Sequence, residues 1–244
     1  MQITFVLPTY NEAENLPKLV SALLSLPLPD LKLLVVDDNS PDGTGQIADQ
    51  LASAHPSRMS VLHRPGKEGL GRAYLHGFQV AMDNGAEVIG QMDSDFSHPP
   101  EKIPEMAAAI EKYDIVQGSR YTKGGAVDVN WPFWRKRLSA FGNFYARTIL
   151  GIPIRDVTGG FRLYRRETLQ GMPLHRIRSN GYIFLVELAY LGHLCGFRTF
   201  EVPIYFADRK WGTSKMSLRI QMEAAIRVWQ VKSAYRDLAA QKRS

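Results

Sequence analysis

Gln91–Met92–Asp93–Ser94–Asp95–Phe96–Ser97–His98–Pro99–Pro100 joins the end of an apolar run to two acids and a double proline. The run behind it, residues 86–92, is short, β-branched at its centre and preceded by Gly85, so it reads as a buried strand. Proline cannot continue a central strand, and the chain must turn there. Two carboxylates therefore arrive at the carboxyl end of a strand, where open α/β sheets bind ligands. Such a pair of oxygen donors suits Mg²⁺ or Mn²⁺. Alone, Asp-Ser-Asp could equally be a turn with a helix cap. The strand before it and the prolines after it favour a site.

Working outward, the same pattern repeats. Residues 2–7 form an apolar strand that stops at Pro8–Thr9–Tyr10–Asn11–Glu12, and a helix is expected over 12–26, capped by Asn11 and striped by Leu16, Leu19, Val20, Leu23 and Leu24. Residues 32–38 are a second strand ending in Asp37 and Asp38. An acid at that tip can accept hydrogen bonds from a ribose or a base edge. Asp42 reads as a turn residue. A third strand spans 59–63. The glycine loop 66–72 opens a helix over 73–84, either as plain turn geometry or as backbone N–H groups for a phosphate. A helix over 101–112 and a strand over 114–118 complete this part. Strand and helix in alternation predict an α/β fold, a mostly parallel sheet flanked by helices with right-handed crossovers. The first strand does not run into Gly-x-Gly-x-x-Gly, which argues against a nicotinamide enzyme.

Past residue 121 the composition changes. Residues 1–119 hold 8 Lys/Arg against 16 Asp/Glu, and residues 120–244 hold 22 against 8. The net charge of +6 suits phosphate-bearing ligands, nucleic acid or an anionic membrane. Nucleic acid would leave the strand-tip acids without a role. Lys123–Gly124–Gly125 reads as flexible. Trp131–Pro132–Phe133–Trp134–Arg135–Lys136–Arg137 mixes large rings with a basic cluster that could meet a phosphate and lipid, and Phe141, Phe144, Tyr145 and Ile149 continue it on one helix face. Residues 155–162 read as a glycine turn between charged residues. A buried helix follows over 183–197, with Glu187 paired to an arginine. Residues 199–206 read as a strand with an edge-type proline. Residues 208–215 read as a basic, glycine-containing loop, either a mobile flap that clamps phosphates or a plain exposed loop. Residues 217–240 read as a basic amphipathic helix with an apolar stripe of Leu218, Met222, Ala225, Ile226 and Trp229, lying on a membrane or packed on the domain. A single cysteine, Cys195, excludes an intramolecular disulfide and fits a reducing compartment. No basic leader precedes the first strand, so no signal peptide is expected.

The motifs Pro8–Thr9–Tyr10–Asn11–Glu12, Val36–Asp37–Asp38–Asn39–Ser40–Pro41–Asp42–Gly43–Thr44, Gly69–Leu70–Gly71, Asp93–Ser94–Asp95, Gly118–Ser119–Arg120–Tyr121 and Asp208–Arg209 with Gly212–Thr213–Ser214–Lys215 occur in this order. Together they closely resemble the polyprenol (dolichol) monophosphate mannose synthases, inverting GT-A glycosyltransferases of family 2. The resemblance covers nearly the whole chain. It implies a GT-A domain over 1–215, with a donor half to about 121 and an acceptor half from 122, then a basic helix over 216–244. It implies that Pro8, Tyr10, Glu12, Val36 and Asp38 frame the base and ribose of a GDP-mannose donor, and that Asp93 faces ribose and sugar. Asp95 would hold Mg²⁺ or Mn²⁺. Arg120, Arg135 and Ser139 would hold the polyprenyl phosphate, and Arg209 and Lys215 would close over the diphosphate.

One departure concerns the metal. The family often has Gln two residues after the second aspartate, and Ser97 stands there, so contact would pass through the shorter hydroxyl, through water or toward His98. The chain also ends without the membrane helices that many relatives append, resembling the shorter members that work in the cytoplasm at the membrane surface, with or without an anchoring partner protein. A phosphate monoester is largely dianionic at neutral pH, its second pKa being about 6, so the nucleophile needs no strong general base. A polyprenyl-phosphate glucosyltransferase using UDP-glucose would need nearly the same site, and a non-catalytic nucleotide-sugar-binding protein would keep the fold alone.

Overall fold

The computed structural model describes residues 1–208 and 218–241, with the side chains of 218–224 and 241 left aside. The strand–helix alternation runs β1 (Ile3–Thr9), α1 (Leu16–Leu24), β2 (Leu31–Asp37), α2 (Thr44–Ala54), β3 (Met59–His63), α3 (Leu70–Asp83), β4 (Val88–Gln91), α4 (Ile103–Ile110) and β5 (Ile115–Ser119). The second half adds β6 (Ala126–Val127), α5 (Phe133–Leu150), β7 (Arg162–Arg165), α6 (Arg166–Gly171), α7 (Gly181–Leu194), β8 (Thr199–Pro203), β9 (Tyr205–Phe206), α8 (Leu218–Ala234) and α9 (Arg236–Gln241).

Seven strands form one sheet in the order β3-β2-β1-β4-β7-β5-β8. All neighbours pair in parallel except β7, which runs antiparallel between β4 and β5, with Gln91 opposite Arg162. This strand was not expected. Its ends are arginines, and a strand bounded by charge reads as a loop. Arg162 is nonetheless fully buried, donating to the Leu185 and Val157 carbonyls at 3.0 Å each. Those acceptors are what let a guanidinium occupy a central strand. Pro203 lies in the edge strand β8, as a residue without an N–H requires.

Helices cover both faces, giving three layers. On one face Phe5, Leu7, Leu33 and Val35 pack against Leu16, Leu19 and Leu23 of α1 and Ile103, Met106 and Ile110 of α4. On the other, Val6, Leu34, Val36 and Ile89 pack against Tyr74 and Phe78 of α3 and Phe184, Leu185 and Leu188 of α7. Gly77 permits this second contact, because a Cβ there would lie 2.3 Å from a Val6 methyl.

Three expectations need correction. The first helix begins at Leu16, not at Glu12, and Asn11 does not cap it: Asn11 has φ 61°, and Pro17 fits only a first helical turn. The segment at Lys123–Gly124–Gly125 is a tight turn rather than a flexible tether: Gly125 donates to the Thr122 carbonyl at 2.9 Å and a Cβ would meet the Ser119 carbonyl at 2.4 Å. Glu187 accepts from the Tyr235 hydroxyl at 2.7 Å and the Ser179 N–H at 2.9 Å, rather than from a guanidinium.

Candidate functional site

The parallel strands β1, β2 and β4 end together, and their tips form the acidic side of the site. Asp37 is a brace: it accepts from the Ser40 N–H and hydroxyl and from the Thr9 hydroxyl. Asp38 is buried beside Arg64, which also reaches Glu68 at 2.7 Å. Burial raises the Asp38 pKa, and the guanidinium only partly opposes that rise. Asp42 is the turn residue expected. Burial alone would raise its pKa, but hydrogen bonds from Thr44 and Ala13 hold it low. The Lys67 ammonium lies 3.8 Å over the Tyr10 ring, and Glu12 accepts from Asn15 at 2.7 Å. Pro8 and Val36 are tied in through backbone: the Pro8 carbonyl receives the Ser94 hydroxyl at 3.0 Å, and the Val36 carbonyl the Thr9 hydroxyl at 3.4 Å. The Val36 side chain is core. Gly69 and Gly71 serve packing, since Cβ atoms there would meet Asn180 at 3.0 Å and the Ser179 carbonyl at 2.8 Å.

The Ser94 bond to Pro8 fixes the Asp-Ser-Asp turn against β1. Phe96 makes the turn with φ 60°. Asp93 receives the Tyr74 hydroxyl at 3.2 Å, and its own N–H donates to His98 Nδ1 at 3.1 Å. Burial and the facing Asp93 push the Tyr74 phenol well up, so it remains a donor. Burial pulls the His98 pKa down and keeps the ring neutral, as an Nδ1 acceptor must be. That ring stacks on Phe161 at 5.2 Å. With Nδ1 occupied in this way, a metal contact shifted to that atom is not available. Asp95 Oδ1 accepts from the Ser97 N–H at 3.0 Å and hydroxyl at 2.6 Å. Asp95 and Ser97 thus share one buried oxygen cluster, which fits a hard cation. Among the described residues no three His, Cys, Asp or Glu side chains form a closed metal site. A cation here would complete its shell from substrate, as Mg²⁺ commonly does with phosphates.

A second network borders the first. Arg120 donates from Nε and Nη2 to the two oxygens of Asp156, at 2.7 Å each, and from Nη2 to Thr158. Asp156 is fully buried, and burial alone would raise its pKa; Arg120 outweighs that and holds it low. Thr158 also receives Asn143 of α5 at 2.9 Å. The glycine turn after Asp156 reaches the acids: a Cβ on Gly160 would lie 3.5 Å from His98 and 3.7 Å from Asp93. Sequence reasoning missed Asp156, Asn143 and Tyr74 as parts of this site, and named His98 only as a possible metal contact. Asp156 had a signal, an acid beside Arg155 ahead of a glycine pair. Tyr74 and Asn143 had none, because each reads as one more position on a helix.

The start of α5 borders this network. Ser139 accepts from the Tyr121 hydroxyl at 2.7 Å. Arg135 lies 3.7 Å over the Trp131 ring and 3.3 Å from Asp208. Trp131 is buried against Phe206, so it does not face lipid as its sequence context suggested. The outward rings are instead Phe133, Trp134, Phe141 and Phe144, between 60% and 71% exposed. On α8 the buried face is Val228 and Val231, continued by Tyr235; Ile226 and Trp229 of the expected stripe point outward, 63% and 55% exposed. The basic loop carrying Arg209 and Lys215 lies outside the described residues.

Residues 4–172 match the family Glycosyl transferase family 2. The chain is 46% identical to a polyprenol monophosphomannose synthase of Mycolicibacterium smegmatis over 91% of this chain and 84% of that protein. It is 43% identical to an undecaprenyl-phosphate mannosyltransferase of Micrococcus luteus over 98% of both. Among solved structures, glucosyl-3-phosphoglycerate synthase from Mycobacterium tuberculosis with Mn²⁺ and UDP-glucose matches with a TM-score of 0.61 at 19% identity, over 94% of this chain and 77% of that one. That likeness concerns the fold, and it agrees with the GT-A sheet expected.

Proposed function

The chain belongs to glycosyl transferase family 2, and from this premise we propose that it transfers mannose from GDP-mannose to a polyprenyl phosphate, with inversion at the anomeric carbon. The observation that carries the reading is the juxtaposition at α5. Its first turns border the Arg120–Asp156 network beside the strand-tip acids, and its outward face is a row of bare rings. A donor site that opens onto an apolar, basic face suits an acceptor with a phosphate head and a lipid tail.

In this reading Pro8, Tyr10, Glu12, Val36 and Asp38 surround the nucleoside, and Asp93, oriented by Tyr74 and His98, faces the ribose and sugar. Asp95 with Ser97 would hold Mg²⁺ or Mn²⁺, whose positive charge eases departure of the diphosphate. Arg135 and Ser139 meet the acceptor phosphate. Arg120, clamped by Asp156, sets the positive potential at that end and aligns the phosphate for in-line attack. Arg209 and Lys215 add charge at the diphosphate. The phosphate oxygen attacks as a dianion and no side chain need remove a proton. Phe133, Trp134, Phe141 and Phe144 settle on the membrane that supplies the acceptor. No helix among the described residues is long and apolar enough to cross it.

The test is transfer of labelled sugar to a short polyprenyl phosphate from GDP-mannose and, in parallel, from UDP-glucose, each with Mg²⁺, Mn²⁺ or EDTA. Metal-dependent mannolipid is the expected product. Glucolipid alone would keep the site and change the donor, and no lipid product from either would overturn the acceptor assignment.

A further inference from the structure

A groove of about 520 Å³ lies at the far end of α5, between α5, α7, α8 and α9. Ile149, Leu150 and Leu194 give it an apolar wall, and Trp229 stands at its side. Lys232 and Arg236 are exposed on its rim. No carboxylate lines it among the described residues. Asp237, the acid nearest in sequence, is held by Arg176 at 2.7 Å, and that pairing takes its pKa down to about 2.

The groove is continuous with the outward rings. Phe141, Phe144 and Thr148 are spaced to share one face of α5, and Ile226, Trp229 and Ser233 one face of α8. Thr148, Trp229 and Ser233 all line the groove, so the two exposed stripes converge on its mouth. The Trp229 ring is fixed there, its Nε1 donating to the Tyr145 hydroxyl at 3.0 Å, while the Lys232 ammonium sits 5.5 Å above it. An apolar wall, two cations with no facing acid among the described residues and a mouth flush with a ring-studded surface describe a receptor for an anionic amphiphile.

We propose that this groove binds the headgroup and upper acyl chains of an anionic phospholipid, at a site separate from the one that meets the acceptor phosphate. Thr148 lies about 14 Å along α5 from Ser139, so the two lipids would be held side by side in one membrane plane. The bound phospholipid would fix how α5 lies on that plane and so how the acceptor end is presented.

The experiment is calorimetric titration of the full chain with dihexanoyl phosphatidylglycerol below its micelle concentration, beside dihexanoyl phosphatidylcholine and inorganic phosphate. No nucleotide or polyprenyl phosphate is present, so the result is independent of the transfer reading. Saturable binding of the anionic lipid, about tenfold or more tighter than the zwitterionic one, is expected. The double variant Lys232→Gln with Arg236→Gln should lose that preference at an unchanged melting temperature. Thr148→Trp should block the mouth and weaken binding while leaving both cations. Equal binding of both lipids, equal binding of free phosphate, no binding, or unaltered binding in both variants would each overturn the proposal.

Discussion

The strand tips and the outward face of α5 and α8 handle unfavourable groups in opposite ways. Asp37, Asp38, Asp95 and Asp156 are buried, and each has proton donors or a guanidinium against it. Phe133, Trp134, Phe141, Phe144, Ile226 and Trp229 are more than half exposed. A buried charge without a partner is costly, and so is a large apolar patch in water. The chain compensates the first kind internally and leaves the second kind to its surroundings. The acidic side therefore has its charges compensated within the protein, whereas on the proposed reading the ring-bearing side would be covered by a membrane.

The sharpest way to break the acidic side is Asp95→Ala. It removes the carboxylate assigned to the metal, and transfer should fall by about 10³-fold. The lost bonds to Ser97 cost about 1–2 kcal/mol, so the fold survives, as a thermal melt would show. A near-normal rate in the melt-competent variant would take Asp95 out of the chemistry.

Asp156→Asn tests whether burial with a partner holds the two regions together. It leaves Arg120 without its countercharge, and unfolding free energy should drop by about 3 kcal/mol. The folded pKa of Asp156 lies below 3.8, so the carboxylate favours the folded state above that value. That stabilisation disappears as pH falls through the folded pKa. The wild type should therefore lose stability more steeply than the variant as pH falls below about 4, in urea titrations at stepped pH. Parallel curves would mean that the pair contributes little.

This difference also decides what could be read from the residues. On the acidic side, each apolar run ends in acids or polar turn residues, and the strand–helix period is regular, so β1 to β5 and the Asp-Ser-Asp turn were legible. On the other side, the decisive contacts join residues far apart in the chain. Arg162 looks like surface charge until the Leu185 and Val157 carbonyls are placed around it. The clamp on Arg120 comes from Asp156, 36 residues later. The rings of α5 share a face as expected, but the core side of that helix is Asn143, Ala146 and Leu150, so the more apolar face is the outer one. Periodicity locates an apolar stripe, and it does not say whether protein or lipid covers it.

Arg135 stands where the two regions meet, which makes it the finest probe of the comparison. Its guanidinium lies on the buried Trp131 ring and reaches Asp208 at 3.3 Å, yet the side chain keeps 27% of its surface open. An incoming anion can share that guanidinium. Arg135→Ala should raise the KM for polyprenyl phosphate about tenfold, the usual loss for one charge-assisted contact, and leave the Kd for GDP unchanged. An equal loss in both would place Arg135 with the acidic side as part of the donor frame. A rise for the long-chain acceptor but not for a short soluble one would instead place it with the rings, acting through the membrane rather than on the phosphate.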